Sequence, residues 1–474
     1  MIRLAPVIRL GDLAGPTATV DATGGVTPRD TAVTLRWAVG TGDAWHRSDR
    51  GRPERLRRLL DTPVVDYPCR VAGGDVTARI ASISGGGHRA VLVTITNETP
   101  TPVALAWLID KVAGRVEVDG LRVLVDGRAL VVWDRPIRAA ALVAPDAVDA
   151  ALAAGPRATA ARGVVDPAAS PAGAVAIGIV PLAAGRTVRA LLAVGADHPL
   201  PADGTVADVV RAAPAPDAVA RGWRRLADRA ATVELPDTDL VRAWRRAVCD
   251  LVVDAGDPAL DRAVAVAPLL DAAGLVDEGD RARDRFLQRV AAGDRLPADL
   301  AVAALAALCS RRLRAGRESG LAELAGPLVE WADGRLPPPV RADLAAVLGL
   351  EHPPGAADLA ALTASDDAPM GPLGPGHEVV AALVGDQHPG IVDLLPGWQG
   401  AWAGGPVDVR GLCTRGGRVS FSLRWHGARP ALLWEIEATP GAGPPATSVR
   451  ASALDPAWTG TGSSGEALLA GPSR

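Results

Sequence analysis

A chain of 474 residues has room for about two to four domains of ~100–200 residues each. An apolar share of 48% with 22% charged residues excludes a wholly disordered chain. A formal net charge of −4 supplies no basic field to recruit nucleic acid.

Lys111 is the only lysine and Asn97 the only asparagine, so arginine carries nearly all the positive charge. This is the pattern of GC-rich coding, which depletes Phe (2) and Tyr (1) but spares Trp (12). Tryptophan abundance alone therefore does not mark a sugar-stacking platform. Cys69, Cys249, Cys309 and Cys413 are far apart and show no C-x-x-C spacing. They read as buried thiols, with no zinc site, other metal or cofactor expected. The N-terminus MIRLAPVIRLGDLAGP lacks the unbroken apolar stretch of a secretory signal. No apolar run approaches the ~18–20 residues of a membrane span. The expectation is a cytoplasmic protein with no membrane partner.

From Thr31 to about Val194, short β-branched runs alternate with Gly, Pro and Asp. Ala32–Trp37 and Arg89–Thr96 read as strands, the second stopped by Asn97-Glu98-Thr99-Pro100, and Val103–Ile109 follows. A meander comes next, with turns at Asp119-Gly120 and Asp126-Gly127. Further strands fit Ala174–Ile179 and Thr187–Leu192, and a short helix fits Pro145–Ala154. Gly85-Gly86-Gly87-His88 reads as a turn, because the helix and lysine of a phosphate-cradling loop are missing. Asp43, His46 and Asp49 have ligand chemistry, but the segment 40–53 reads as an exposed loop.

Asp217 is a plausible N-cap for a helix over Ala218–Arg229, and Thr232–Leu235 is a short extended piece. From Asp239 helical periodicity dominates. One face carries Leu240, Trp244, Val248, Leu251 and Val252. Segments follow at Pro258–Ala273, Glu278–Ala291, Pro297–Arg314, Glu318–Trp331 and Pro338–Leu348, punctuated by Pro or Asp starts and Gly stops. Short loops make them helical hairpins. Arg281, Arg283, Asp284, Arg285 and Arg289 read as a solvated face. The pattern dissolves between Glu351 and Gly376 and resumes over Glu378–Val384.

The last part has the clearest strand-turn-strand pattern, Gly417–Glu437, with Trp425 and Trp434 read as core and His426 on the opposite face. The expected fold is a multidomain α+β chain. It has an N-terminal antiparallel β-sandwich (1–213), a linker helix (214–236), a helical-hairpin domain (237–390) and a small C-terminal β domain (391–474).

This order resembles the six-hairpin glycosidase superfamily, the (α/α)-barrel glycoside hydrolases and phosphorylases. Thr62-Pro63-Val64-Val65, Arg70-Val71-Ala72-Gly73-Gly74-Asp75 and Asn97-Glu98-Thr99-Pro100 look like the first-domain pattern of its actinobacterial relatives. Glu234-Leu235-Pro236-Asp237 sits where those chains pass from sandwich to helices. Asp393-Leu394-Leu395-Pro396-Gly397-Trp398, Arg424-Trp425-His426-Gly427 and Leu432-Leu433-Trp434-Glu435 look like their C-terminal signature. The resemblance implies a helical toroid and a carbohydrate ligand. A full toroid needs on the order of 200 residues, and 237–350 holds about half its helices. The toroid here is expected to be truncated.

Inverting hydrolysis needs two carboxyls ~6.5–9.5 Å apart, one of them a general acid with a raised pKa. Asp271, Glu330, Asp393 and Glu435 flank apolar sequence and are the catalytic candidates. For each of them the role of a cap, a surface charge or an arginine partner is the favoured reading. Trp398 and Trp402, in PGWQGAW, are candidates for stacking on a sugar, or for plugging the seam between helices and strands. The expected function is a carbohydrate-related protein, catalytically degenerate and binding a glycan or oligosaccharide. The alternatives are an active inverting glycoside hydrolase and a non-carbohydrate scaffold or interaction protein.

Overall fold

A computed structural model describes residues 7–472 apart from 43, 51–54, 86–87, 156–159, 171, 196–199, 201–204, 258, 293–294, 319–320, 333–335, 352–374, 387–389, 428 and 443–444. Asp43, Gly86, Gly87 and most of the expected loop between Glu351 and Gly376 lie outside the described residues. The chain divides into two compact units, one of residues 1–12 and 16–224 and the other of residues 13–15 and 225–474.

The first unit is β-rich, with an eight-stranded and a nine-stranded sheet sharing one core. Val103–Val112 lies antiparallel between Thr34–Thr41 and Ala174–Leu182. In the other sheet His88–Asn97 lies between Gly74–Gly85 and Thr187–Ala193. Alternate residues of each sheet point inward, so Val91, Val93 and Ile95 share the core with Leu105, Trp107 and Ile109. Trp37 meets Tyr67 edge-on across this core, with ring centroids 5.9 Å apart. The meander is Gly114–Asp119, Arg122–Val125 and Arg128–Trp133. Asp126 (φ 49°) and Gly127 (φ 79°) both adopt the left-handed conformation that a two-residue hairpin turn demands.

Two sequence expectations change here. The segment 40–53 is not a free loop: Ala44–Arg47 pairs with Thr34–Thr41. His46 Nε2 lies 3.1 Å from Thr41 Oγ1, and Arg47 clasps Asp49 at 2.6 Å and Asp149 at 2.9 Å. Four residues of alternation were too few to declare this strand. Asp217 does not cap its helix. The helix begins at Pro216, and Asp217 in its first turn accepts from Arg79 Nη1 at 2.9 Å. Among the described residues the α-helices up to this point are α1 (Val148–Ala154), α2 (Val206–Ala212) and α3 (Pro216–Ala227).

Among the described residues the α-helices of the second unit are α4 (Thr238–Ala255), α5 (Leu260–Ala272), α6 (Val276–Ala291), α7 (Ala298–Leu313), α8 (Leu321–Trp331), α9 (Pro338–Glu351) and α10 (Pro375–Leu383). Asp237 caps α4, its Oδ1 accepting from the amides of Asp239 and Leu240 at 3.0 Å. Ala and Leu stripes of α7, α8 and α9 bury Ala304, Leu308, Leu328 and Leu344 in one core. No described helix is long and apolar enough to cross a membrane. A five-stranded and a four-stranded sheet complete this unit. The hairpin Gly417–His426 with Arg429–Glu437 is in the expected register, Phe421 opposite Trp434 and Leu423 opposite Leu432. Thr232–Glu234 pairs with Val407–Thr414, so the extended piece ahead of the helices becomes an edge strand of the C-terminal sheet.

The sole asparagine closes the end of a central strand. Asn97 is fully buried; its Nδ2 donates to the carbonyls of Thr101 (2.8 Å) and Leu182 (3.1 Å). Its Oδ1 accepts from the amide (3.0 Å) and hydroxyl (2.8 Å) of Thr99. All four bonds need an amide, and no other side chain of that size supplies them. Asn97→Asp loses both donated bonds and buries a charge. Its unfolding free energy in urea is expected to fall by on the order of 3 kcal/mol. A denaturation midpoint equal to that of the unaltered protein would contradict this account.

Candidate functional site

The chemistry-bearing side chains of the second unit gather in an ionic lattice at one end of α5, α6 and α7. It begins with Arg283 on α6. Gly279, Ala282, Arg283 and Phe286 recur at helical spacing and form the buried stripe of α6, so the arginine points inward with the apolar residues. Its Nη2 bonds Asp271 Oδ2 on α5, its Nη1 bonds Asp280 Oδ1 at 2.7 Å, and its Nε donates to the Ala307 carbonyl at 2.9 Å. Ser310 on α7 donates to the same Asp271 oxygen at 2.7 Å. Gly279 leaves the room: a Cβ there would stand 3.0 Å from Asp271 Oδ1 and 3.2 Å from Arg283 Nη1. Asp271 and Arg283 are both 0% exposed. Burial raises the Asp271 pKa, and Arg283 and Ser310 only partly oppose it.

The lattice extends in both directions. Arg317 bonds Asp280 and reaches Asp277 at 2.8 Å, and Arg311 lies 3.2 Å from Asp280. Beyond Ser310, Arg314 bonds Asp386 at 3.1 Å, whose carboxylate also accepts from the Arg415 amide at 3.1 Å. Arg415 in turn pairs with Asp343 on α9 at 2.6 Å. Burial would raise Asp386, but Arg314 and Arg415 outweigh it and its pKa is lowered. At Asp343 burial wins, and its pKa is raised. The expected solvated arginine face is therefore corrected for Arg283. Arg281, Asp284 and Arg289 are exposed as expected, and Arg285 is half-buried, reaching the Ala255 carbonyl at 3.4 Å.

The other candidate carboxylates sit elsewhere. Glu330 is exposed on α8, beside Trp331, which packs on the helical core. Asp393 lies in Ile391–Leu394 and accepts from the amide of Ser452 at 3.0 Å and from its hydroxyl. Glu435 is exposed on its strand. No described bond links Asp271, Glu330 and Asp393 to one another. Among the described residues no three His, Cys, Asp or Glu side chains form a metal-binding group.

The tryptophans do come together. Trp402 is fully buried in a short 3₁₀ turn, Gly400–Trp402, and meets Trp398 edge-on at 5.5 Å and 86°. Trp398 is half-buried and also packs on Trp425, at 6.0 Å and 44°. Trp425, expected in the core, is itself half-buried; it lies one residue from the hairpin-turn end of its strand. Trp434 is buried and meets Trp458 edge-on at 5.4 Å.

No family model matches the chain, and no curated protein sequence matches it. Its fold is similar to that of a bacterial glucoamylase solved in complex with acarbose, with TM-score 0.50 and 10% identity over 76% of this chain and 65% of that one. A glycosyl hydrolase of the gh92 family, ccman5, matches at TM-score 0.32 and 10% identity, over 76% of this chain and 60% of that one. The chain spans less than two thirds of either neighbour's length. The glucoamylase likeness makes the fold glycosidase-like, in step with the resemblance read from the sequence.

Removing one member of a buried pair costs about 3–5 kcal/mol, because the other charge is stranded. Arg283→Ala is expected to lose that much in chemical denaturation. Asp271→Leu combined with Arg283→Met is expected to lose less than the two single changes summed, and strict additivity would contradict the pairing. Asp386 yields a pH test. Its folded pKa lies below the ordinary 3.8, so its contribution is present above 3.8 and disappears as pH falls through the folded value. Stability curves of the unaltered protein and Asp386→Asn should be well separated at neutral pH and converge in acid. A constant gap down to the acid transition would contradict the assignment.

Proposed function

We propose that this is a carbohydrate-related protein of the six-hairpin glycosidase type, catalytically degenerate, that binds a glycan or oligosaccharide. The observation that carries the reading is the fold likeness to a glucoamylase, an enzyme solved with acarbose bound. On this reading α4 to α9 are a shortened helical toroid between β domains. The domain limits are those read from sequence, 1–213, 214–236, 237–390 and 391–474, and the cytoplasmic location belongs to the same proposal.

The state of the carboxylates supports degeneracy. An inverting pair must flank an open site and leave room for a water molecule. Asp271 has the raised pKa of a general acid but is sealed against Arg283 and Ser310. Asp393 is committed to Ser452, and Glu330 is exposed on α8. The tryptophans support binding. The half-buried Trp398 ring is held by Trp402 and Trp425, and a fixed indole matches the apolar C–H face of a pyranose.

Calorimetric titration of the full chain with malto-oligosaccharides tests this. Binding is expected, weakened about tenfold, or ~1.4 kcal/mol, in Trp398→Ala. Absence of binding across α- and β-linked oligosaccharides would overturn the carbohydrate reading. Unchanged affinity in Trp398→Ala would remove the tryptophan from it.

A further inference from the structure

A cleft of about 310 Å³ opens in the second unit, bordered by the α5–α6 turn, the end of α7 and the strands Val407–Thr414, Gly417–His426 and Arg429–Glu437. Its charged lining is Arg229, Arg314, Arg418 and Glu437, three cations against one anion. Trp398 and Trp402 are not part of it.

The three arginines differ in what they have left to offer. Arg314 is held by Asp386 at 3.1 Å and by Ser310 at 3.4 Å. Arg229 shares one oxygen of Glu278 with Arg281, both at 3.2 Å, so that carboxylate serves two cations. Arg418 is exposed and forms no ion pair among the described residues, although Glu437 is its cross-strand neighbour.

The backbone makes space for Arg418. Gly411 sits at an irregularity of its strand with φ 78°, and a Cβ there would stand 2.8 Å from Arg418 Nη2 and 2.9 Å from Nε. The left-handed φ favours glycine at this bulge, and the missing side chain leaves the space in which the guanidinium lies. The one thiol in the lining, Cys413, has its pKa raised by burial and remains neutral at pH 7, so it does not offset the cations.

The geometry points to this cleft as a binding site for a small oxyanion-bearing molecule, a phosphorylated or carboxylated metabolite. Arg418 supplies the two-point bond, and Arg229 and Arg314 complete the cationic lining. A planar guanidinium matches phosphate and carboxylate oxygens through paired N–H bonds. The volume sits at the low end of the ~300–1,000 Å³ of small-molecule sites, enough for a monosaccharide-sized ligand and too small for a polymer. The inference is independent of the glycan reading, since it uses neither Trp398 nor an oligosaccharide.

Calorimetry of the full chain with glucose-6-phosphate, glucuronate and glucose tests it. One or both anions are expected to bind, more weakly as salt rises, and glucose is not. The stronger of the two identifies phosphate or carboxylate as the preferred group. Arg418→Ala, at an exposed position, is expected to weaken binding about tenfold or more. Arg418→Lys should restore only part, because an ammonium lacks the fork. The inference is overturned by no anion binding up to about 10 mM, by equal affinity for glucose, or by unchanged affinity in Arg418→Ala.

Discussion

Arg283 is the constraint on which the second unit depends. A guanidinium with no exposure must satisfy its donors inside the protein, and it does so with Asp271, Asp280 and the Ala307 carbonyl. These partners belong to α5, α6 and α7, so one side chain sets the axial position of three helices. Desolvating such charges costs several kcal/mol per ion, roughly what their attraction returns. The lattice therefore adds little net stability. Its effect is specificity: a one-turn slip of α6 would carry Arg283 away from Asp271 on α5 and from the Ala307 carbonyl on α7. The apolar stripes of α7 to α9, rich in Ala and Leu, do not by themselves discriminate such slips.

From Ser310 the lattice continues through Arg314, Asp386, Arg415 and Asp343, tying α7 and α9 to the turn ahead of Gly417–His426. Helices and C-terminal strands are held by the same charges. This bears on chemistry. A carboxylate that anchors an arginine lattice cannot also approach a glycosidic oxygen, and Asp271 is such a carboxylate. The tryptophans lie outside the lattice. Trp402 is spent on packing, and Trp398 keeps part of its surface. The fold is glycosidase-like, and the carboxylates Asp271, Asp343 and Asp386 each hold an arginine within it.

Much of the fold was legible. The two Asp-Gly dipeptides announced the meander, one of them, Asp126-Gly127, with left-handed φ at both residues, and Pro and Gly punctuation placed α4 to α9 within a few residues. The site was less so. Charged residues on a helix default to solvent, and Arg283 was read that way. Its signal lay in the periodicity: residues 279, 282, 283 and 286 form one stripe, and three of the four are Gly, Ala and Phe. The pairing of Thr232–Glu234 with Val407–Thr414 had no local signal, because one strand face of three residues matches many partners. Trp398 and Trp402 were visible as a pair, but the burial of one and partial exposure of the other depend on Trp425, which comes from a distant strand.

The most direct test of the account is the release of reducing ends from a soluble α-glucan by the full-length protein, followed from about pH 4 to about pH 8. The account predicts no release above that of buffer at any pH, in protein that still binds oligosaccharide. Sustained release would contradict it, most sharply if it vanished in Asp393→Ala or Glu330→Ala while the fold was retained.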